Sequence, residues 1–437
     1  MNAETKPNQI IIAHSSLAEY EFDGDDGDRY YLPARGLADA PAFIKDGRTP
    51  VVIVPSYQPI RDLAHFYERT LNGGKQFDIV ETDDNHYLMD RDIATSDTIL
   101  ADLNKRNGNE VIELYPYGVT DEFLSWAQPL IDKGAVLVGD KKRYLDTRWW
   151  GHKGGLHRWV DNLHCPSFAE KSGMIVADGF VARNKDEMLE ACDLLGTHNV
   201  MLKPYILSGG FDMKACSTPE DVADYKIPLM PGGKKGEEMP VAVEKLLDID
   251  KDQHGELAYS LQFTGTRLVG KLTRQLVHGV THWVGNQIPA ETSDEFEKEA
   301  IDMVQNFLSK GAPQGPGGVD IVSVKGKPVI MEINGGRPTG AHNPKMFKEA
   351  FAPKAPATIF EKEDNVDLLG TNVETVWDRL STKNYKRSPL AFNPKTQLGV
   401  YPLVWMKNMW SMLISFGMDM NDSKARLEEA KKILYSR

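Results

Sequence analysis

Cysteine is scarce in this sequence, with three in 437 residues. Cys165, Cys192 and Cys216 are odd in number and form no CxxC pair. That argues against a disulfide framework and a cysteine-rich zinc motif, and predicts reduced thiols in a cytoplasmic protein. In that compartment the glycosylation sequon at Asn421 has no consequence. Long apolar runs are missing too: none approaches the roughly 20 residues of a membrane helix, so no membrane partner is expected. Positive charge is in deficit, the net charge being −12. A nucleic-acid partner requires a basic face, which this balance speaks against, while a local basic pocket for an anionic ligand stays open. The first residues, MNAETKPNQIII, have no basic segment followed by a long apolar core, so no secretory leader is expected. No GxGxxG follows the first apolar run, so a dinucleotide site there has no support. The acidic stretch DGDDGD, residues 23–28, lacks the glycine and glutamate that complete an EF-hand loop and reads as a solvated turn.

What is present is an ordinary globular composition, 41% apolar and 26% charged. The length suffices for two or three domains with full cores. Residues 1–145 alternate short apolar runs (QIIIAH, TPVVIVP, FDIVE, NEVIELYPY, GAVLVG) with helical stretches at 60–71 and 121–132. Thr120 is placed to cap the second helix, with Asp121 and Glu122 in its first turn. This alternation predicts a parallel α/β domain. Residues 146–243 form a second unit, with GMIVADGFVA, a helix over 184–195 and the strand NVMLKPY. Residues 244–437 form a third, which ends in a Pro-rich connector, the strand LGVYPLVWM and a helix capped at Ser423.

The stretch VIMEINGGRPTG, residues 329–340, begins as a strand yet carries Glu332 and Asn334 on one face. The preceding strand GGVDIVSV holds Asp320, and KGK joins the two. If Lys325, Gly326 and Lys327 form a three-residue loop, Asp320 lies across from Glu332; a two-residue loop would put them on opposite faces. Facing like charges are unfavourable, and a divalent cation removes the penalty. Three oxygen donors without Cys or His suit Mg²⁺. The competing reading is a solvated polar face on an edge hairpin.

Two other segments favour the metal. In NVMLKPYILSGGFDMK an apolar strand ends in Lys203, and Ser208, Gly209 and Gly210 follow. A strand-end lysine suits phosphate, and glycines let backbone N–H groups approach phosphate oxygens. In MPVAVEKLLDID, Glu244 could accept from an adenine amino group, and Asp248 or Asp250 could hold ribose hydroxyls.

In this order and spacing, over about residues 135–345, these segments resemble the ATP-grasp superfamily. The resemblance implies an N-terminal parallel α/β (pre-ATP-grasp) domain followed by two α+β lobes that pinch a nucleotide. Lys203 matches the phosphate lysine, Ser208, Gly209 and Gly210 the phosphate loop, and Glu244, Lys245 and Leu247 the adenine hinge, the last two through backbone. Asp320, Glu332 and Asn334 match the metal triad. An earlier phosphate lysine matches Lys153, with Arg148 as the alternative. The family often reads E-x-N-P-R; here an extra glycine moves the cation to Arg337. Arg274 is either an ordinary strand cation or, as the resemblance implies, a partner of the γ-phosphate. The ending RPTGAH and the LGVYPLVWM tail are similar to amino-acid and peptide ligases of natural-product pathways, such as the pheganomycin type.

His152, His157 and His164 with Cys165 fit no common zinc spacing, and the neighbouring Trp149, Trp150 and Trp159 explain them as packing and polar surface. His278 and His342 receive no role. The resemblance therefore implies a ligase that uses ATP and Mg²⁺, or Mn²⁺ in its place, to join a carboxylate to an amine, with a homodimer compatible. A small-molecule kinase and a non-catalytic nucleotide sensor are the other classes.

Overall fold

The computed structural model describes residues 9–13, 31–45, 48–55, 58–71, 78–82, 112–116, 121–132, 134–138, 155–205, 212–229, 237–253, 255–278, 282–310, 315–335, 341–364, 371–386, 388–406 and 410–435. Strands β1 (Gln9–Ala13), β2 (Thr49–Pro55), β3 (Asp78–Thr82), β4 (Ile112–Pro116) and β5 (Val136–Leu137) form a parallel sheet in the order β3-β2-β1-β4-β5. Their continuous apolar runs suit strands covered on both faces. Val51 and Ile53 pack with Phe123 and Trp126 of helix α3 (Asp121–Asp132). Val52, between them, belongs to a separate apolar core that also includes Leu37 of α1 (Tyr31–Lys45) and Leu63 of α2 (Gln58–Thr70). The expected parallel α/β domain is present.

A second sheet combines β6 (Arg158–Trp159), β7 (Gly179–Ala182), β8 (Val200–Pro204), β9 (Lys214–Cys216) and β10 (Val241–Lys245) in the order β6-β7-β10-β8-β9. Its helices are α4 (Phe168–Ser172), α5 (Lys185–Leu195) and α6 (Pro219–Ala223). Asn184 caps α5 by accepting from the Glu187 N–H, and Gly196 ends it in the left-handed region. A short hairpin, β11 (Lys251–Asp252) and β12 (Gly255–Glu256), leads to the third sheet.

That sheet is antiparallel. It holds β13 (Ala258–Thr264), β14 (Arg267–His278), β15 (His282–Ile288), β16 (Pro316–Val324), β17 (Lys327–Asn334) and β18 (Ala357–Asp364). After the short pair β19 (Asn384–Tyr385) and β20 (Ser388–Pro389), β21 (Gly399–Met406) and β22 (Trp410–Gly417) complete it. The order is β17-β16-β13-β14-β15-β18-β22-β21. Helix α7 (Asp294–Ser309) covers one face: Phe296 meets Tyr259 at 4.9 Å, and Phe307 meets Phe263 at 6.4 Å. Along β13 and β16 the alternate residues, Ser260 and Asp320, therefore leave the other face. Helices α8 (His342–Phe351), α9 (Val373–Thr382) and α10 (Met420–Tyr435) complete the chain. Ser423 does not cap α10 as expected. The helix starts at Met420, Asp419 accepts from the Asp422 N–H at 2.7 Å, and the Ser423 hydroxyl donates to the Ser415 carbonyl. Thr120 and the DGDDGD stretch lie outside the described residues.

Candidate active site

The β16–β17 turn consists of Lys325 and Gly326 alone, both at positive φ, and Val324 pairs with Lys327. This is the two-residue turn, not the expected three-residue loop; positive φ at both positions matches its twist to that of the strands. On that turn alone Asp320 and Glu332 would point to opposite faces. A bulge restores the register: Ile321 pairs with Ile330, Asp320 pairs with Glu332, and Met331 is the extra residue. Two departures from the expected hairpin thus cancel, and the carboxylates face each other.

Asn334 joins them, its Nδ2 donating to Asp320 Oδ2 at 3.1 Å and to Glu332 Oε1 at 3.0 Å. Gln275 Nε2 donates to Asp320 Oδ1 at 2.7 Å. Burial, and then the adjacent Glu332 charge, push the Asp320 carboxyl well above the ordinary range. The donor set fits a hard divalent cation, which would offset the facing charges. A half-turn of the Asn334 amide would present its oxygen in place of its nitrogen. Among the described residues no three His, Cys, Asp or Glu side chains converge on a metal position. His157 bonds a carboxylate elsewhere.

That carboxylate is Glu244, which is 2% exposed. His157 Nε2 lies 2.9 Å from its Oε1 and Lys203 Nζ 2.5 Å from its Oε2. Lys203 is also 2% exposed. Burial alone would raise the Glu244 carboxyl; the Lys203 charge and the His157 hydrogen bond outweigh it and hold the group at about 2. Lys203 faces Ala242 across the β8–β10 ladder, which places its amine diagonally against Glu244. The same Nζ approaches the carbonyl of Met331, the bulge residue, at 3.5 Å. Lys203 of one sheet thereby reaches the strand that carries Glu332 in another. A bond from the Ile330 N–H to the Ile175 carbonyl, 2.8 Å, fastens the same seam.

Two expected site residues have other partners. Arg274 pairs across the sheet from Tyr259, so its side chain leaves on the α7 face, away from the triad. Its guanidinium forms a fork on Asp252, at 2.5 and 2.9 Å. The next residue, Gln275, occupies the triad face instead. Asp250 holds the hairpin turn: its oxygens accept from the Lys325 N–H (3.0 Å), the Gly326 N–H (2.7 Å) and the Ser323 hydroxyl (2.6 Å). These bonds, the Ser323 hydroxyl first, hold its carboxyl below the ordinary range. Asp250 is thus engaged in holding the turn, while Asp248 is exposed. At the end of β10, the Lys245 and Leu246 N–H groups bond the carbonyls of Asp178 and Asn199. Lys153, Arg148, His152, Ser208, Gly209, Gly210 and Arg337 lie outside the described residues.

No protein-family model matches the sequence. The formate-dependent phosphoribosylglycinamide formyltransferase of Ignicoccus hospitalis is 27% identical over 172 residues, 38% of this chain and 42% of that protein. The chain thus spans under half the length of this curated relative. Among solved structures, biotin carboxylase from Campylobacter jejuni superposes with a TM-score of 0.58 at 12% identity, covering 98% of this chain and 92% of that one. An ADP complex of N5-carboxyaminoimidazole ribonucleotide synthetase gives 0.58 at 14% identity, covering 99% and 98%. Phosphoribosylamine–glycine ligase from Thermotoga maritima gives 0.53 at 13% identity, covering 97% and 96%. These likenesses span nearly the whole chain and all three sheets. The chain has the ATP-grasp fold. Sequence reading missed Gln275 and His157, which also bond the carboxylates of Asp320 and Glu244. Neither carries a spacing signal; only the finished sheets bring them into contact.

Proposed function

We propose that the protein is an ADP-forming, ATP-dependent carboxylate–amine ligase. The observation that carries this reading is the approach of buried Lys203 to the strand on which Glu332 faces Asp320, a cation beside an acidic pair. A cation beside an acidic pair suits phosphate oxygens and a divalent cation together. In this reading Glu244 and the hinge backbone at Lys245 and Leu247 bind the base, and Asp248 binds the ribose. Lys203, with Lys153 and residues 208–210, binds phosphates, and Arg337 is assigned to the γ-phosphate. Asp320, Glu332 and Asn334 would hold Mg²⁺, which draws charge from phosphate oxygens when bound.

The donor carboxylate attacks the γ-phosphorus, and the bond to the bridging oxygen breaks, leaving its electron pair on ADP. The positive charge of Lys203 offsets the charge that develops. An amine then attacks the acyl carbon, the carbon–oxygen bond breaks, and phosphate departs carrying that oxygen; the amine proton passes to solvent. Two relatives support a small acid as donor, since their names contain formate and glycine. An amino acid or short peptide is the finer assignment, which rests on the resemblance of RPTGAH and the tail. Carboxyl-¹⁸O substrate should deliver label to inorganic phosphate only when ATP and amine are both supplied. Label in AMP would replace the acyl phosphate by an adenylate, and phosphate transfer to a hydroxyl without amine would make the protein a kinase.

A further inference from the structure

Glu244 is reached from two sides, and the side opposite Lys203 depends on an empty position in the sheet. β6 runs parallel to β7 with Arg158 beside Phe180, so His157 stands beside Gly179. On the far edge of β7, Gly179 pairs with Glu244 of β10. His157, Gly179 and Glu244 thus form one row across three strands, with a residue lacking a side chain in the middle. A Cβ built on Gly179 would lie 3.0 Å from Glu244 Cγ and 3.1 Å from His157 Cε1. The imidazole passes over the glycine and reaches Glu244 Oε1 at 2.9 Å, with its side chain 3% exposed. A carboxylate only accepts, so Nε2 carries the proton and donates.

We infer that His157 is a specificity-determining positioning residue, which fixes the Glu244 carboxylate so that it accepts from a purine with an exocyclic amino group and rejects one with a carbonyl oxygen there. This rests on the nucleotide reading given above. A carboxylate has about four acceptor positions, and His157 and Lys203 take one on each oxygen. What remains is acceptor only, which pairs with an amino group and repels a carbonyl. Without His157, Oε1 loses its buried donor, and the Lys203 charge becomes the one strong restraint on the carboxylate among these contacts. The group can then turn, and the amino-group preference weakens.

The test is equilibrium binding of Mg-ADP and Mg-GDP to the full chain by calorimetry, beside the KM of the donor carboxylate. The wild-type chain should bind ADP at least tenfold more tightly than GDP. His157→Leu should weaken ADP about tenfold, leave GDP within twofold and leave the carboxylate KM unchanged; His157→Gln, which keeps a donor, should recover part of the preference. Gly179→Ala, which obstructs the row without removing the imidazole, should reproduce the loss and serves if the leucine variant does not fold. An unchanged ADP/GDP ratio in these variants, or no wild-type preference, overturns the role of His157 and leaves the nucleotide site standing. Binding of neither nucleotide by the wild-type chain overturns the site and this inference together.

Discussion

Asp320 and Glu332 face each other across adjacent strands, an arrangement that is unfavourable when both carboxyls are ionised and no cation lies between them. Asp320→Asn removes one charge and keeps the side chain's size, and its amide can still bond Gln275. The metal-free variant should therefore be more stable than wild type, because it no longer holds a carboxyl that burial and Glu332 disfavour as an anion. Thermal melts with and without Mg²⁺ check it: wild type should gain stability from the ion, and the variant should gain little. A variant that melts lower in the absence of metal, yet responds to Mg²⁺ as wild type does, would remove Asp320 from the proposed metal site. At this scale the acidic triad and Lys203 were legible because they combine residue type with spacing. The choice of Arg274 over Gln275 was not legible. The two differ by one step of strand register, and nothing in GKLTRQLV marks which one faces α7.

At the scale of elements, the strands of the N-terminal sheet were legible because parallel, doubly covered strands are continuous apolar runs. The bulge at Met331 was not, since an extra residue in a strand has no sequence marker. Helix α8 supplies a second such case. Its Lys345 is 3% exposed, and its amine donates to the Val269 carbonyl at 2.6 Å, beside Gly270 at positive φ. Burial, opposed by Glu349 and Glu297, lowers the Lys345 amine to about 7. The unfolded chain keeps the ordinary value of 10.5, so between these two values it binds a proton that the folded chain does not. Stability must then climb with pH from about 7 towards about 10.5, and the full penalty holds below that window. Lys345→Met removes the titration. Melting temperatures at pH 6.5, 8 and 9.5 should place the variant above wild type at the lowest pH, with the gap closing as pH rises. A gap independent of pH would show that the amine is not neutralised by folding.

Across the whole molecule, the N-terminal helices and the last strands of the large sheet share one core. The Phe66 ring stacks on Tyr401 at 5.3 Å and meets Trp377 at 5.6 Å. The Tyr67 hydroxyl donates to the Leu403 carbonyl. Beside them Asn343 Nδ2 donates to Asp39 Oδ1 at 2.6 Å, and the Tyr115 hydroxyl and His342 Nε2 bond at 2.7 Å. These partners stand more than 200 residues apart in sequence, and no local pattern announces such pairs; the sequence pointed to units with separate cores. A shared core couples their unfolding, because neither side can open without exposing the other's apolar surface. Phe66→Ala, which empties a fully buried ring position, should cost ~3–5 kcal/mol. The loss should fall on both sides of the seam. Hydrogen exchange should speed up in β21 as well as in β2, and calorimetry should show one transition moving down in temperature. Faster exchange confined to residues 49–55, with β21 unchanged and a second transition left in place, would show that the N-terminal sheet unfolds on its own.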